Sequence, residues 1–182
     1  HIPAIFILRG TLNLDSMTLA FNDILDRHEA LRTVFETVDA ASYQVVRQVE
    51  SEQIQLVDVS SEDESLLDDK VNKIAFAEVT QTFDLRHGLP IRMKLIKKSV
   101  DEHVLVITMH HILSDGWSIG IFLKELTWFY QAHVTGNIAY LPELPVQYAD
   151  FAYWQRQTLQ GQVLEQQVNY WQERLQDLPI LS

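Results

Sequence analysis

An apolar run, Val104-Leu105-Val106-Ile107-Thr108-Met109, leads directly into two histidines and then into Ile112-Leu113-Ser114-Asp115-Gly116. A run of that length, rich in β-branched side chains, is a buried strand, and the residues after Gly116 return to helical apolar spacing. His110 and His111 therefore stand at the end of a core strand, where the chain must leave the sheet. Neighbouring strand residues point to opposite faces. If the alternation holds to the strand end, His111 continues the face of Leu105, Ile107 and Met109, and His110 that of Val104, Val106 and Thr108. Taken alone, two histidines in a turn are a surface feature. The four-residue step from His111 to Asp115, the Gly116 turn and the strand-then-helix setting make the functional reading the stronger one.

Elsewhere strands and helices interleave without strict alternation. A strand over 2–8 precedes a helix over 15–28, whose stripe is Met17, Phe21, Ile24, Leu25 and His28. Strand patterns follow at 31–36, 43–49 and 54–58. Ser60-Ser61-Glu62-Asp63-Glu64 opens a helix to about 79, with acids at its positive dipole end. Residues 83–90 read as a loop, and 91–98 with 102–109 as a hairpin closing at Val100-Asp101. The next helix, 116–134, buries Ile119, Phe122, Leu123, Leu126 and Tyr130. Pro142 and Pro145 mark an extended linker. Helices at 146–159 and 162–175 follow, the second with a stripe of Leu164, Val168, Trp171 and Leu175. The expected class is α/β in the broad sense of an α+β sandwich, a mixed sheet faced by helices.

Several function classes are excluded early. At 182 residues the chain is long enough to bury a full core. Its net charge of −11 disfavours nucleic acid, which demands clustered Lys and Arg. Without cysteine it has no thiolate nucleophile and no zinc-thiolate site, and a reducing, cytoplasmic location suits it. No apolar run approaches the roughly 20 residues of a membrane span, and no signal peptide is visible. The start at His1-Ile2-Pro3, inside a strand pattern, and the stop at Pro179-Ile180-Leu181-Ser182 read as the edges of a piece of a longer polypeptide.

A histidine at a strand end with an aspartate four residues on is a unit for handling protons, since imidazole titrates near ~6.5. Asp115 either orients the imidazole or fixes the loop by pairing with an arginine; the tight turn favours the second role. A metal site is not expected, because adjacent strand histidines diverge and no further ligand cluster completes them. Ser114 and Ser118 lack a nucleophile elbow and suit helix capping instead. Three further segments stand out. Arg27-His28-Glu29-Ala30-Leu31-Arg32-Thr33-Val34-Phe35 places two arginines at a helix-to-strand junction; the helix dipole accounts for Arg27 but not for Arg32. Phe83-Asp84-Leu85 through Pro90-Ile91-Arg92 reads as a plain loop. Tyr148-Ala149-Asp150-Phe151-Ala152-Tyr153-Trp154 is an aromatic helix start, of the kind that usually packs in a core.

Together these segments resemble the condensation domain of non-ribosomal peptide synthetases. Met109 through Ser118 is similar to that family's HHxxxDG motif with its flanks, Arg27 through Phe35 to its RHExLRTxF motif, and Tyr148 through Trp154 to its YxDFAxW motif. Phe83-Asp84-Leu85 with Gly88 and Pro90 resembles its FDL…GP segment, although here the order is Gly-Leu-Pro. HxxxD alone is less specific, being shared with chloramphenicol acetyltransferase-like and plant acyltransferases. Trp117 before Ser118 departs from the epimerization pattern, and the intact histidines depart from the heterocyclization pattern.

The resemblance implies a chloramphenicol acetyltransferase-like lobe. Residues 1–182 would form the N-terminal lobe, with the family's first motif upstream of His1 and a C-terminal lobe beyond Ser182. It implies peptide-bond formation, in which an acceptor aminoacyl amine attacks a carrier-bound donor thioester. His111 would be central, with His110, Asp115 and Gly116 in the catalytic loop, and Arg27, Arg32 and Trp154 supporting it. Asp115 would pair with Arg27 or Arg32. No cofactor is expected to bind directly, because the substrates ride on phosphopantetheine. The implied partners are upstream and downstream peptidyl carrier domains, an adenylation domain and the missing C-terminal lobe, and no nucleic acid or membrane. Two alternatives are a non-catalytic module that docks carrier domains, with Lys94, Lys97 and Lys98 as its basic cluster, and a coenzyme A-dependent HxxxD acyltransferase.

Overall fold

The computed structural model describes residues 1–176 and Leu178, so the stop at Pro179-Ile180-Leu181-Ser182 lies outside the described residues. Two compact units divide the chain, His1–Glu143 and Leu144–Ser182.

The first unit is built on a four-stranded mixed sheet. Its strands are β1 (Ile2–Arg9), β4 (Gln55–Asp58), β5 (Ile91–Lys97) and β6 (Glu102–Met109), in the order β1-β6-β5-β4. β1 and β5 both run antiparallel to β6, and β4 runs parallel to β5. β6 is therefore central and, as its unbroken apolar pattern requires, buried on both faces. Leu105, Ile107 and Met109 join a cluster with Met17, Phe21, Ile24 and Leu25 of α1 (Leu14–Arg27) and Phe122 and Leu126 of α3 (Gly116–Thr135). Val104 and Val106 join Val71 and Ala75 of α2 (Glu64–Thr80) on the other face. β2 (Thr33–Val38) and β3 (Ala41–Val46) form a separate hairpin, turned by Asp39 and Ala40, both at positive φ. Leu31 and Arg32, expected at the start of a strand, lie instead in a 3-10 turn at Glu29–Arg32 that lets the chain leave α1 sharply.

The second unit contains α4 (Tyr148–Thr158) and α5 (Gly161–Leu175). Neither helix has a buried residue, so the stripe of Leu164, Val168, Trp171 and Leu175 stays exposed.

One acid sits where apolar side chains are expected. Glu78 of α2 is only 3% exposed and takes hydrogen bonds from Arg92 Nε and Lys94 Nζ, each at 2.6 Å. Burial alone would raise its carboxyl, but the hydrogen bonds from Lys94 and Arg92 outweigh that and hold it below its ordinary 4.5. A depressed folded value contributes stability that is present above pH 4.5 and lost as pH falls through the folded value. The melting temperature should thus drop as pH falls below about 4.5, and less steeply in Glu78→Gln. Thermal melts across that range check it, and parallel pH profiles for the two proteins would contradict it.

Candidate functional site

β6 stops at Met109, opposite Ile2 of β1 and Ile91 of β5. The backbone leaves the sheet one residue later, after the His110 N–H has donated to Pro90 O at 2.9 Å. His110 is half-buried. Its ring meets Phe83 edge-on at 5.9 Å between centroids and lies 5.9 Å from His1. Its Nδ1 accepts the Ile112 N–H at 3.1 Å, and its carbonyl accepts from the Leu113 N–H and Ser114 Oγ, both at 3.3 Å. A ring nitrogen that accepts is unprotonated, so this contact selects the tautomer carrying hydrogen on Nε2. Burial first, and then repulsion from His111, pushes the His110 imidazole below its ordinary 6.5, which favours the same neutral form.

These contacts fold His110 to Leu113 into a tight turn, and His111 is exposed within it. The strand alternation therefore carries as far as His110, which lies beside Phe83 just beyond α2. His111 is not a further strand residue on the face of Met109, because β5 begins at Ile91, opposite Met109, and the chain turns after the His110 N–H has met Pro90 O.

Asp115 does not pair with Arg27 or Arg32. It is an exposed N-cap for α3, accepting from the Ser118 N–H at 2.9 Å and from Ser118 Oγ at 2.8 Å, while Ser118 Oγ also accepts the Asp115 N–H at 3.3 Å. This reciprocal box satisfies helix-start donors that would otherwise be left unpaired. Hydrogen bonds from the Ser118 backbone and hydroxyl hold the Asp115 carboxyl below its ordinary value. Gly116, the first residue of α3, has an ordinary negative φ, and a Cβ there would meet nothing within 4 Å. The turn does not depend on glycine's conformational freedom, contrary to the expectation from sequence.

Both arginines are held elsewhere. Arg27 donates from Nε to Glu125 Oε1 at 3.2 Å and from Nη2 to Pro142 O at 2.7 Å. Arg32 donates to Leu25 O at 3.1 Å and Arg47 O at 2.9 Å, joining the end of α1 to the segment after β3. Glu125 of α3, 8% exposed, is a residue the sequence reading missed. Its second oxygen lies 2.5 Å from His28 Nε2, so one carboxylate ties the Arg27-His28 pair to the helix that the histidine loop leads into. A cavity of about 150 Å³ behind the loop is lined by His28, Leu31, Met109, Leu113, Ser114 and Ser118, among others. Trp154 belongs to the second unit, where its ring lies 5.7 Å from that of Phe151.

The basic cluster is neutralised. Lys94 pairs with Glu78, Lys97 with Asp58 at 2.9 Å, and Lys98 with Asp68 and Glu102 at 3.0 and 2.8 Å. Among the described residues no group of three or more His, Asp or Glu is placed to hold a metal ion, and no helix is long and apolar enough to cross a membrane.

These pairings rank two substitutions. Asp115→Ala removes an exposed helix cap and should lower the denaturant midpoint only slightly. Glu125→Ala removes a buried carboxylate from two partners and should cost about 3–5 kcal/mol. Denaturant midpoints of the two variants check the order, and an equal loss in both would contradict it.

The condensation-domain profile matches residues 1–182. Among curated proteins the chain is 39% identical over 175 residues to a linear gramicidin synthase of Brevibacillus parabrevis. It is 40% identical over 177 residues to the non-ribosomal peptide synthetase dtxS1 of Metarhizium robertsii. Each alignment covers 96% of this chain but only 2% of the relative's length. Among solved structures, the X-domain from teicoplanin biosynthesis aligns at TM-score 0.84 and 28% identity, covering 96% of this chain and 38% of that one. The starter condensation domain of the rhizomide synthetase aligns at 0.85 and 16% identity, covering 98% and 42%, a likeness of fold. The mixed sheet faced by helices is accordingly the chloramphenicol acetyltransferase-like fold.

Proposed function

This chain belongs to the condensation-domain family, and from that premise we propose that it works in non-ribosomal peptide synthesis as the N-terminal lobe of a condensation domain. The acceptor's amine nitrogen attacks the donor's thioester carbonyl. The new C–N bond replaces the C–S bond, and the sulfur leaves as the carrier's thiol with the proton the nitrogen gives up. Donor and acceptor arrive on the phosphopantetheine arms of upstream and downstream carrier domains, the acceptor having been loaded through an adenylation domain. A C-terminal lobe closes the cleft.

One observation carries this reading: His111 is exposed in a turn pinned at the end of a strand that is buried on both faces. That combination presents an imidazole to an incoming substrate from a support that does not yield. Its demand on proton transfer is modest. An α-amine titrates near ~7.7–8.0, so a sizeable minority of the acceptor is already neutral at cellular pH. Holding the reacting atoms about 3–3.5 Å apart can contribute roughly 7–11 kcal/mol. We therefore assign His111 to orienting the amine and steadying charge as it develops. Gly116, at the start of α3, carries a helix N-terminal N–H suited to negative charge. His110 and Asp115 hold the loop's two ends, and Arg27 and Arg32 are assigned supporting roles.

In a polypeptide containing the whole domain, His111→Ala should lower kcat by about 10²–10³-fold, the usual cost of losing one group that steadies developing charge. Its melting temperature should stay unchanged, because the side chain is exposed. A carrier-bound condensation assay beside a thermal melt checks both, and unimpaired turnover would contradict the assignment. A pH profile of the same step with no inflection in the imidazole range would exclude proton abstraction by His111.

A further inference from the structure

The reaction leaves the segment from Phe83 to Arg92 without a task, yet that segment touches the histidine loop at two points. Pro90 O accepts the His110 N–H at 2.9 Å, and the Phe83 ring meets the His110 ring edge-on at 90°. Phe83 also meets the His1 ring edge-on at 4.9 Å between centroids, and it is held from another side by Arg92. Its guanidinium carbon lies 3.9 Å from the centre of the Phe83 ring, a cation–π contact.

Arg92 is itself fixed by an unusual number of acceptors. Nε donates to Glu78 Oε1 at 2.6 Å, Nη2 to Glu78 O at 3.0 Å and Gln81 O at 2.9 Å, and Nη1 to Thr82 O at 3.3 Å. The guanidinium thus gathers carbonyls at the C-terminal end of α2, where a helix leaves such groups unpaired and favours a cation. Only a planar fork can do this while keeping one face free to stack on an aromatic ring; an ammonium cannot.

The contacts form an unbroken series from a buried ion pair to the loop: Glu78 to Arg92, Arg92 to the Phe83 ring, that ring to His110, and His110 Nδ1 to the amide following His111. We propose that Arg92 and Phe83 are positioning residues for the histidine loop. Arg92 holds the Phe83 ring against His110, and His110, kept with its hydrogen on Nε2, closes the turn that presents His111. The bearing on catalysis rests on the role proposed above for His111, whereas the clamp itself does not. The competing account is that Arg92 only caps α2 and Phe83 only fills space, in which case His110 is indifferent to both.

The test is ¹⁵N NMR of the imidazoles, with hydrogen exchange of the Ile112 amide, in the 182-residue chain above the His110 titration. The parent should show His110 as a single tautomer, unprotonated at Nδ1, with a slowed Ile112 amide. Phe83→Leu should mix the tautomers and speed Ile112 exchange at least tenfold while amide dispersion elsewhere stays intact. Phe83→Tyr, which keeps the ring, should behave as the parent, and Arg92→Lys should shift the same signals in the direction of Phe83→Leu. If Arg92→Lys fails to fold, the two Phe83 variants decide the matter. Unchanged His110 nitrogen shifts and Ile112 exchange within twofold of the parent in Phe83→Leu would overturn the proposal.

A second arm separates the clamp from the catalytic reading. In the polypeptide containing the whole domain, Phe83→Leu should lower kcat about tenfold with little change in KM, and Phe83→Tyr should restore it. A loop loosened by NMR with kcat unchanged would count against the role of His111 and leave the clamp standing.

Discussion

Burial of β6 on both faces sets the terms for everything around it. A strand whose residues alternate between two apolar clusters cannot slip by one residue without exchanging every side chain between faces. Its register against β1 and β5 is therefore fixed, and so is the point where pairing ends, at Met109. Past that point the backbone needs new partners. Pro90 accepts the His110 N–H, and the box between Asp115 and Ser118 opens the next helix. The exposed turn between these two anchors is where His111 stands.

Two buried glutamates join the parts around that turn. Glu78 on α2 binds Arg92 and Lys94 of β5, and Glu125 on α3 binds Arg27 and His28 at the end of α1. Buried charges are seldom the cheapest way to stabilise a fold, since apolar replacements often do as well. Their use here fits a need for orientation: each carboxylate fixes a side chain that in turn fixes a segment beside the histidines. The same economy of charge explains Lys97 and Lys98, which are held by neighbouring acids at one edge of the sheet and offer no free basic surface.

Much of this was legible in the sequence. The apolar run into Met109 with its hairpin partner at 91–98, the helical stripe from Met17 to Leu25 and the acids at the start of α2 each follow from local rules, and together they point to a mixed sheet faced by helices. The histidine motif was legible for the same reason, since it marks where an apolar run stops. The errors have physical sources. The end of β6 depends on where β5 begins and on Pro90 beside it, which no pattern local to the histidines records. Glu125 went unread; an acid between Phe122 and Leu126, on the buried stripe of α3, was the available signal. Asp115 followed three residues later by Ser118 is a capping signature in plain view, but an aspartate near two arginines drew the pairing elsewhere. The contacts of Phe83 and Arg92 needed coordinates, because nothing in a loop sequence says which ring it will meet.

The central claim is that this chain presents one wall of a two-walled site. It covers 38–42% of the teicoplanin X-domain and rhizomide condensation-domain chains it resembles, and its His111 imidazole is exposed. The most direct measurement is a condensation assay with purified carrier-bound donor and acceptor, run on the 182-residue chain alone and again with the complementary lobe joined to it. The account expects no product above background from the chain alone and turnover once the second lobe is present. Robust product from the chain by itself would contradict it.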